Sequence, residues 1–233
     1  MITTNYADYL PAKHEQTLPL PTELEQEKQV IDETYDLIDI LATENPLEEA
    51  VKLNLWDDVG LLVFTSGTTG RPKAAMLTYG NALFKTATTV QSKSYDETIT
   101  TAAMSPLFHI AGMLMGVNIP IYSRCKTILM TRFDPEAAIT AVETYKINSW
   151  YTVATMNVAI LNHPGIEKRD LTSLKMNYAT SFGIPVNEQL ARDWKELTNG
   201  CVLTESSYGL SETHTADTFM PEHKIKRSEE HTS

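Results

Sequence analysis

Cysteine is scarce in this chain: two residues of 233, Cys125 and Cys201. Two thiols cannot build a disulfide framework, and no Cys-x-x-Cys or His-Glu-x-x-His string offers a metal-ligand spacing. Positive charge is also in short supply, with 19 Lys and Arg against 30 Asp and Glu and a formal net charge of −11. That balance argues against a surface built for nucleic acid or an anionic membrane. No Gly-x-Ser-x-Gly surrounds Ser66, Ser206 or Ser207, which removes the serine-hydrolase elbow. The longest mostly apolar stretch, Ile110 to Tyr122, contains Asn118 and falls well short of the roughly 20 residues a membrane helix needs. The opening MITTNYADYL lacks a basic segment followed by an apolar one, so it does not read as a signal peptide. Asn-x-Ser/Thr sites and internal repeats are absent as well. Together these absences lead us to expect a soluble, cytoplasmic protein with no nucleic-acid partner and no transmembrane segment.

What is present is an ordinary globular composition, 42% hydrophobic with ten glycines. Thr22-x-x-Glu25 is a capping-box pattern, and with Leu24, Ile31, Ile38 and Leu41 on a helical period it predicts a helix to about Ala42. A shorter helix is expected over residues 46–52. Beyond that, strands and helices alternate: strand near 60–65, helix 79–92, strand 125–130, and a helix opened by Asp134-Pro135-Glu136. A strand near 148–153, helix 154–162, strand 174–179, helix 186–197 and a strand beginning at Cys201 complete the set. That alternation predicts an α/β fold with mostly parallel sheets flanked by helices. Ligands on such sheets bind beyond the carboxyl ends of strands. Three loops fall in that position: residues 66–73, the Gly183 segment and Tyr208–Glu212. They are expected on one edge of one sheet.

The most informative of the three follows Gly60-Leu61-Leu62-Val63 and reads Phe64-Thr65-Ser66-Gly67-Thr68-Thr69-Gly70-Arg71-Pro72-Lys73. Glycines turn the backbone and expose its N–H groups, hydroxyls add donors, and a lysine supplies a point charge, a set that suits a polyphosphate. The common phosphate-loop pattern does not account for it. Counted from Gly67, the second glycine position is Pro72, and Lys73 is followed by Ala74 rather than Ser or Thr.

The decapeptide resembles instead the phosphate-binding signature of the AMP-forming, adenylate-forming enzymes: acyl-CoA synthetases, luciferases and peptide-synthetase adenylation domains. It departs from that signature at Ala74, where a glycine is usual. Pro106-Leu107-Phe108-His109-Ile110-Ala111-Gly112 and Tyr208-Gly209-Leu210-Ser211-Glu212 resemble two further family segments in the family's order. Ser181-Phe182-Gly183-Ile184-Pro185-Val186 resembles a third more loosely, with Phe182 and Ile184 replacing Gly and Ala. The likeness runs from about Ile2 to about Lys226.

The resemblance implies that ATP activates a carboxylic acid to an acyl-adenylate, which coenzyme A then converts to a thioester. Thr65, Ser66, Gly67, Thr68, Thr69, Gly70 and Lys73 would grip the β- and γ-phosphates. Glu212 would be linked to Mg²⁺, and Ser211 would meet the α-phosphate. Tyr208 would stack on adenine beside Gly209, with Gly183, Ile184 and Pro185 flanking the ring. His109 would stand near the carboxylate. Met113 and Met115, within Ile110–Met115, would line an acyl tunnel or pack in the core. Glu205 and His214 read as surface residues.

The stretch Leu161–Lys175 resembles an acyl-ligase segment and favours a long- or medium-chain fatty acid, as in bacterial fatty-acid–CoA ligases. An aryl-CoA ligase, a peptide-synthetase adenylation domain and a non-catalytic nucleotide-binding fragment are the alternatives. Residues 1–58 are expected to be part of an incomplete N-terminal region and 59–226 an AMP-binding core. A C-terminal domain with a catalytic lysine would lie beyond the chain, leaving it inactive alone. Arg227–Ser233 match the translation of a common short-read sequencing adapter, so 227–233 are expected to be a non-native tail.

Overall fold

The computed structural model describes residues 1–10, 18, 21–24, 26–65, 70–205 and 208–219. The expected tail at 227–233 lies outside them. The chain divides into two units, Met1–Leu53 and Asn54–Ser233.

In the first unit, β1 (Ile2–Thr3) and β2 (Tyr35–Asp36) form a short parallel pair. Lys28 joins the unit's ends, its Nζ 2.8 Å from Asp8 and 2.6 Å from Asp36. Those hydrogen bonds raise the lysine above its usual pKa and lower both carboxyls. The helix predicted from Thr22 does not form. Thr22–Leu24 make a single 3₁₀ turn, and the α-helix, α1 (Leu37–Thr43), starts fifteen residues on from Thr22, capped by Asp36 accepting from Ile38 N. The apolar stripe is not buried as a unit: Leu24 is buried and Ile38 half-buried, but Ile31 and Leu41 are 53% and 61% exposed. Glu33 adopts a left-handed φ of 62°, which interrupts any helix. Without tertiary packing, a capping signal does not sustain a helix. The helix expected over 46–52 is likewise absent, and its residues are exposed.

In the second unit, β3 (Val59–Thr65) and β4 (Lys73–Thr78) form an antiparallel hairpin. The sequence reading did not anticipate β4. Helix α2 (Tyr79–Lys93) follows at once, its N-terminus closed by a reciprocal cap. Asn81 N donates to Thr78 Oγ1 at 3.2 Å, and Thr78 N to Asn81 Oδ1 at 2.9 Å. Next come β5 (Thr100–Ala103), α3 (Ile110–Met113), a π-turn over Leu114–Asn118, and α4 (Ile119–Ser123). β6 (Lys126–Leu129) pairs with β5 in parallel.

The rest alternates as predicted. α5 (Pro135–Tyr145) is capped by Asp134, whose Oδ1 accepts from Ala137 N at 2.8 Å. β7 (Ser149–Val153), α6 (Ala154–Leu161), β8 (Met176–Thr180), α7 (Glu188–Leu197) and β9 (Val202–Glu205) follow. β7, β8 and β9 are parallel neighbours in that order, with Tyr151 opposite Tyr178 and Val153 opposite Thr180. β5 runs beside β7, where Asn148 N donates to Thr100 O. Helices α5 and α7 cover this sheet, burying Ile139, Val142 and Trp194 completely along with Trp150. The two tryptophan rings lie 6.2 Å apart. Among the described residues, no helix is long and apolar enough to cross a membrane.

One expectation needs correcting. The loops after β8 and β9 do share an edge, because neighbouring parallel strands end there. The 66–73 loop belongs to the separate antiparallel hairpin, which reaches the same place by lying against the Ser211–Thr213 turn.

Candidate active site

The hairpin closes its last pair at Thr65 and Lys73, and Thr65 Oγ1 donates to Lys73 O at 3.5 Å. These two residues are the posts of the glycine- and threonine-rich loop. Ser66, Gly67, Thr68 and Thr69 lie outside the described residues. Gly70 re-enters with φ 87°, a conformation that favours glycine, and Lys73 is exposed.

Beyond β9 the chain turns back on itself through Tyr208–Phe219. Tyr208 O accepts from Asp217 N at 2.9 Å and Thr218 N at 3.2 Å. A Cβ on Gly209 would stand 2.4 Å from Ala216 N, so only glycine fits there. The Asp217 carboxylate ties the loop together. It accepts from Leu210 N (3.2 Å) and Thr213 Oγ1 (2.5 Å), and its other oxygen is 2.5 Å from Lys85 Nζ on α2. Burial pushes the Asp217 carboxyl upward, but the Lys85 and Thr213 hydrogen bonds outweigh it and hold the group below the usual range. Ser211 and Glu212 form a 3₁₀ turn within this loop, with Glu212 exposed and Ser211 half-buried. Tyr208 is 62% exposed, leaving a ring face open for stacking.

His214, read from the sequence as a surface residue, is fully buried. Among the described residues neither ring nitrogen has a hydrogen-bond partner, and burial pushes its pKa below 6.5. It opens a run of three left-handed residues, His214, Thr215 and Ala216, at φ 60°, 54° and 50°. Such backbone persists only where the surroundings hold it, and Asp217 is the visible clamp. Glu205 is also not a free surface carboxylate: it accepts from Ser181 Oγ, which in turn accepts from Val186 N at 3.0 Å. That brace shapes the loop carrying Gly183 (φ 77°), Ile184 and Pro185, all exposed. The replacements Phe182 and Ile184 bridge each other across that glycine, and Phe182 faces solvent at 71% exposure.

His109 is the N-cap of α3, with Nδ1 accepting from Ala111 N at 3.2 Å. An acceptor at Nδ1 puts the proton of the neutral ring on Nε2. The spacing of this segment has a steric reason. Pro106 O accepts from His109 N, and a Cβ at Gly112 would come 2.1 Å from that same oxygen. Proline, histidine and glycine are thus one tight turn. His109, Gly209 and Thr180 line a cavity of about 130 Å³ with Lys93, Leu114, Met115 and Tyr151 among its other walls. Met115 is there, whereas Met113 is not.

The structure therefore sets the Thr65–Lys73 hairpin mouth on one side and His109 with Gly209 on the other. Tyr208, Ser211 and Glu212 sit in the loop between. Sequence reasoning missed Lys85 and Asp217. A lysine on a helix and an aspartate in a loop, far apart in the chain, leave no joint signal in a single sequence. No group of three metal-ligating side chains occurs among the described residues. A single exposed Glu212 still fits Mg²⁺, which is typically held by one or two carboxylates plus substrate phosphates.

The fold and this loop set define an α/β protein whose candidate site lies at the strand ends of a parallel sheet. The AMP-binding enzyme family model matches residues 3–232, and the chain belongs to that family. It is 36% identical over 157 residues to feruloyl-CoA synthase of Amycolatopsis sp, covering 67% of this chain and 31% of that protein. It is 27% identical over 220 residues to long-chain-fatty-acid–CoA ligase of Bacillus subtilis, covering 91% of this chain and 38% of that protein. Among solved structures, ATP-bound MatB from Rhodopseudomonas palustris superposes with a TM-score of 0.68 at 24% identity, over 81% of this chain and 37% of that one. A long-chain-fatty-acid-CoA ligase from Archaeoglobus fulgidus gives 0.70 at 23% identity, over 81% and 39%. The chain thus spans about a third of the length of the relatives it matches.

Proposed function

We propose that this chain is the nucleotide-gripping part of an enzyme that activates a carboxylic acid with ATP and passes the acyl group to coenzyme A. The observation carrying this reading is that the Thr65–Lys73 hairpin mouth lies against the turn bearing Ser211 and Glu212. A carboxylate oxygen attacks the α-phosphorus of ATP, the bond to pyrophosphate breaks, and acyl-AMP forms. The thiol sulfur then attacks the acyl carbon, and AMP leaves. Such chemistry depends on positioning and on charge neutralisation.

Lys73 and the hydroxyls of the 65–69 loop take up charge on the departing pyrophosphate, and Ser211 donates to the α-phosphate. Glu212 would hold Mg²⁺, which would supply positive charge to the phosphate oxygens. Tyr208 supports adenine with Gly209 and the Gly183–Pro185 backbone. His109 presents an N–H toward the acid's carboxylate.

The fatty-acid expectation came from Leu161–Lys175, and the structure gives that stretch another role. Arg169 binds Glu136 and Glu143 on α5 at 2.8 Å each, and none of the stretch lines the cavity beside His109. The fatty-acid ligase of B. subtilis supports a fatty acid, and the feruloyl-CoA synthase supports an aryl acid equally.

The test is acid-dependent ATP–pyrophosphate exchange by the full-length parent enzyme, with ATP binding measured on this chain. Lys73→Met lowers exchange by about a hundredfold, the usual cost of one charge-stabilising donor. The isolated chain binds ATP without forming acyl-CoA. Exchange unaffected by Lys73→Met, or absent with every acid, would overturn the reading.

A further inference from the structure

We propose that Lys85 and Asp217 are positioning residues for the acid-activating step. Their pair sets Ser211 and Glu212 against the Thr65–Lys73 hairpin mouth, and it governs turnover more than ATP affinity. This rests on the function proposed above and adds two residues to it, neither of which touches a reacting atom.

The loop over residues 208–219 is tied down in two separable places. The part proposed to meet adenine is held without the Asp217 carboxylate: Tyr208 O accepts from Asp217 N at 2.9 Å and Thr218 N at 3.2 Å. The part proposed to meet phosphate is held by that carboxylate. Its Oδ2 accepts from Leu210 N at 3.2 Å and from Thr213 Oγ1 at 2.5 Å, and these two residues flank Ser211 and Glu212.

Lys85 holds the carboxylate in turn. Its Nζ lies 2.5 Å from Asp217 Oδ1 and donates to Ala216 O at 3.4 Å. Ala216 ends the left-handed run His214–Ala216, a backbone costly for residues other than glycine. His214 lends the run no side-chain support, since neither of its ring nitrogens has a partner among the described residues. One lysine therefore grips both the strained run and the carboxylate that follows it. With side chains 15% and 25% exposed, this is not the solvated surface pair that contributes little.

The position of Lys85 gives the pair its functional meaning. α2 continues directly from β4, whose first residue is Lys73. The Ser211–Thr213 turn lies against both hairpin strands. One continuous segment thus carries the hairpin post and the cation that places the facing turn. An aspartate is required at 217 because both oxygens accept at once. Asparagine has a single acceptor oxygen and could serve Lys85 or the Leu210–Thr213 side, but not both.

The measurement is ATP–pyrophosphate exchange by the full-length parent enzyme carrying Asp217→Asn, Lys85→Met, both together, or Lys85→Arg. Asp217→Asn and Lys85→Met are each expected to lower kcat by about tenfold to a hundredfold, as a small misplacement of a reacting geometry does. The KM for ATP should move by no more than about threefold, because the bonds to Tyr208 O remain. The double variant should cost no more than the worse single one, since both remove the same contact. Lys85→Arg should keep most of the turnover, its guanidinium donating to the same oxygen. Independently of turnover, hydrogen exchange of the Leu210 amide in the ligand-free enzyme should quicken in Asp217→Asn and Lys85→Met. Asp217→Asn preserves shape and keeps the test readable should Lys85→Met fail to fold. An unchanged kcat in either variant, a KM for ATP that rises as far as kcat falls, or unaltered Leu210 exchange would overturn the proposal and leave acid activation standing. Exchange with no acid in the unmodified parent would remove the underlying function and this inference with it.

Discussion

The β7–β8–β9 sheet and the β3–β4 hairpin both deliver loops to the candidate site, yet they are held in opposite ways. In the sheet, both faces are covered: Trp150, Thr152, Asn177 and Ala179 are fully buried on one, and Ser149, Tyr178 and Thr204 are buried on the other. Thr152 Oγ1 lies 2.8 Å from both Asn157 Oδ1 and Asn177 Oδ1 inside it. In the hairpin, Leu77 is buried on one face, whereas Leu62, Phe64 and Met76 on the other are 55%, 69% and 70% exposed. Sheet loops are fixed by the core beneath them. The hairpin's posts, Thr65 and Lys73, are held by strand register and by what the inner face and the Ser211–Thr213 turn provide. For the proposed role of these posts in holding phosphate, register matters more than bulk, and the lighter support suits it.

The largest break in this comparison comes from the sheet's centre. Trp150→Ala removes a fully buried ring packed on Trp194 and is expected to cost about 3–5 kcal/mol. Urea unfolding followed by circular dichroism would show the midpoint fall sharply. A loss below about 1 kcal/mol would mean that the sheet is not the stabilising centre.

The sequence made this sheet legible because each element carried its own local signal. Asp134-Pro135 announced α5, and the run through Val153 announced β7. β5 gave no such signal: Thr100-Thr101-Ala102-Ala103 is short and built of small residues, although three of the four are buried. Thr22 gave a false one, because a cap pattern reports local preference and not whether a face finds a core. Of the site, the residues with a fixed spacing were readable, such as Pro106, His109 and Gly112, whose spacing follows from one steric contact. The residues that hold the site were not. Lys85 meets Asp217 only after folding, and His214 looks like any polar loop residue until its burial is seen.

His214 sharpens the comparison at the next level down, because it lies in the loop that hairpin and sheet share. Its folded-state pKa is depressed by burial below the ordinary 6.5. The unfolded chain therefore binds the proton more readily, and stability is complete above pH 6.5 and falls as pH drops below it. Lys85, already bonded to Asp217, adds an unfavourable positive charge for a protonated ring. We expect hydrogen-exchange protection of residues 208–218 to weaken between pH 7 and 5 while β7 and β8 keep theirs. His214→Leu should flatten that pH dependence. Protection that stays constant in the unmodified chain would show that the imidazole does not control this loop.

The smallest effect is predicted on the hairpin's outer face. Phe64→Ser and Met76→Lys replace side chains that are mostly solvated already, and each should move the unfolding midpoint by no more than about 0.5 kcal/mol. β4 holds its register through the Thr65–Lys73 to Leu61–Leu77 ladder, which neither substitution touches. ATP binding should be unchanged, because the outer face points away from the buried Leu77 side. A loss as large as that of Trp150→Ala would mean that Leu62, Phe64 and Met76 are covered in solution, and the contrast between a core-held sheet and a register-held hairpin would collapse. Concentration-dependent stability in the unmodified chain, abolished by Met76→Lys, would identify a second copy of this chain as the cover.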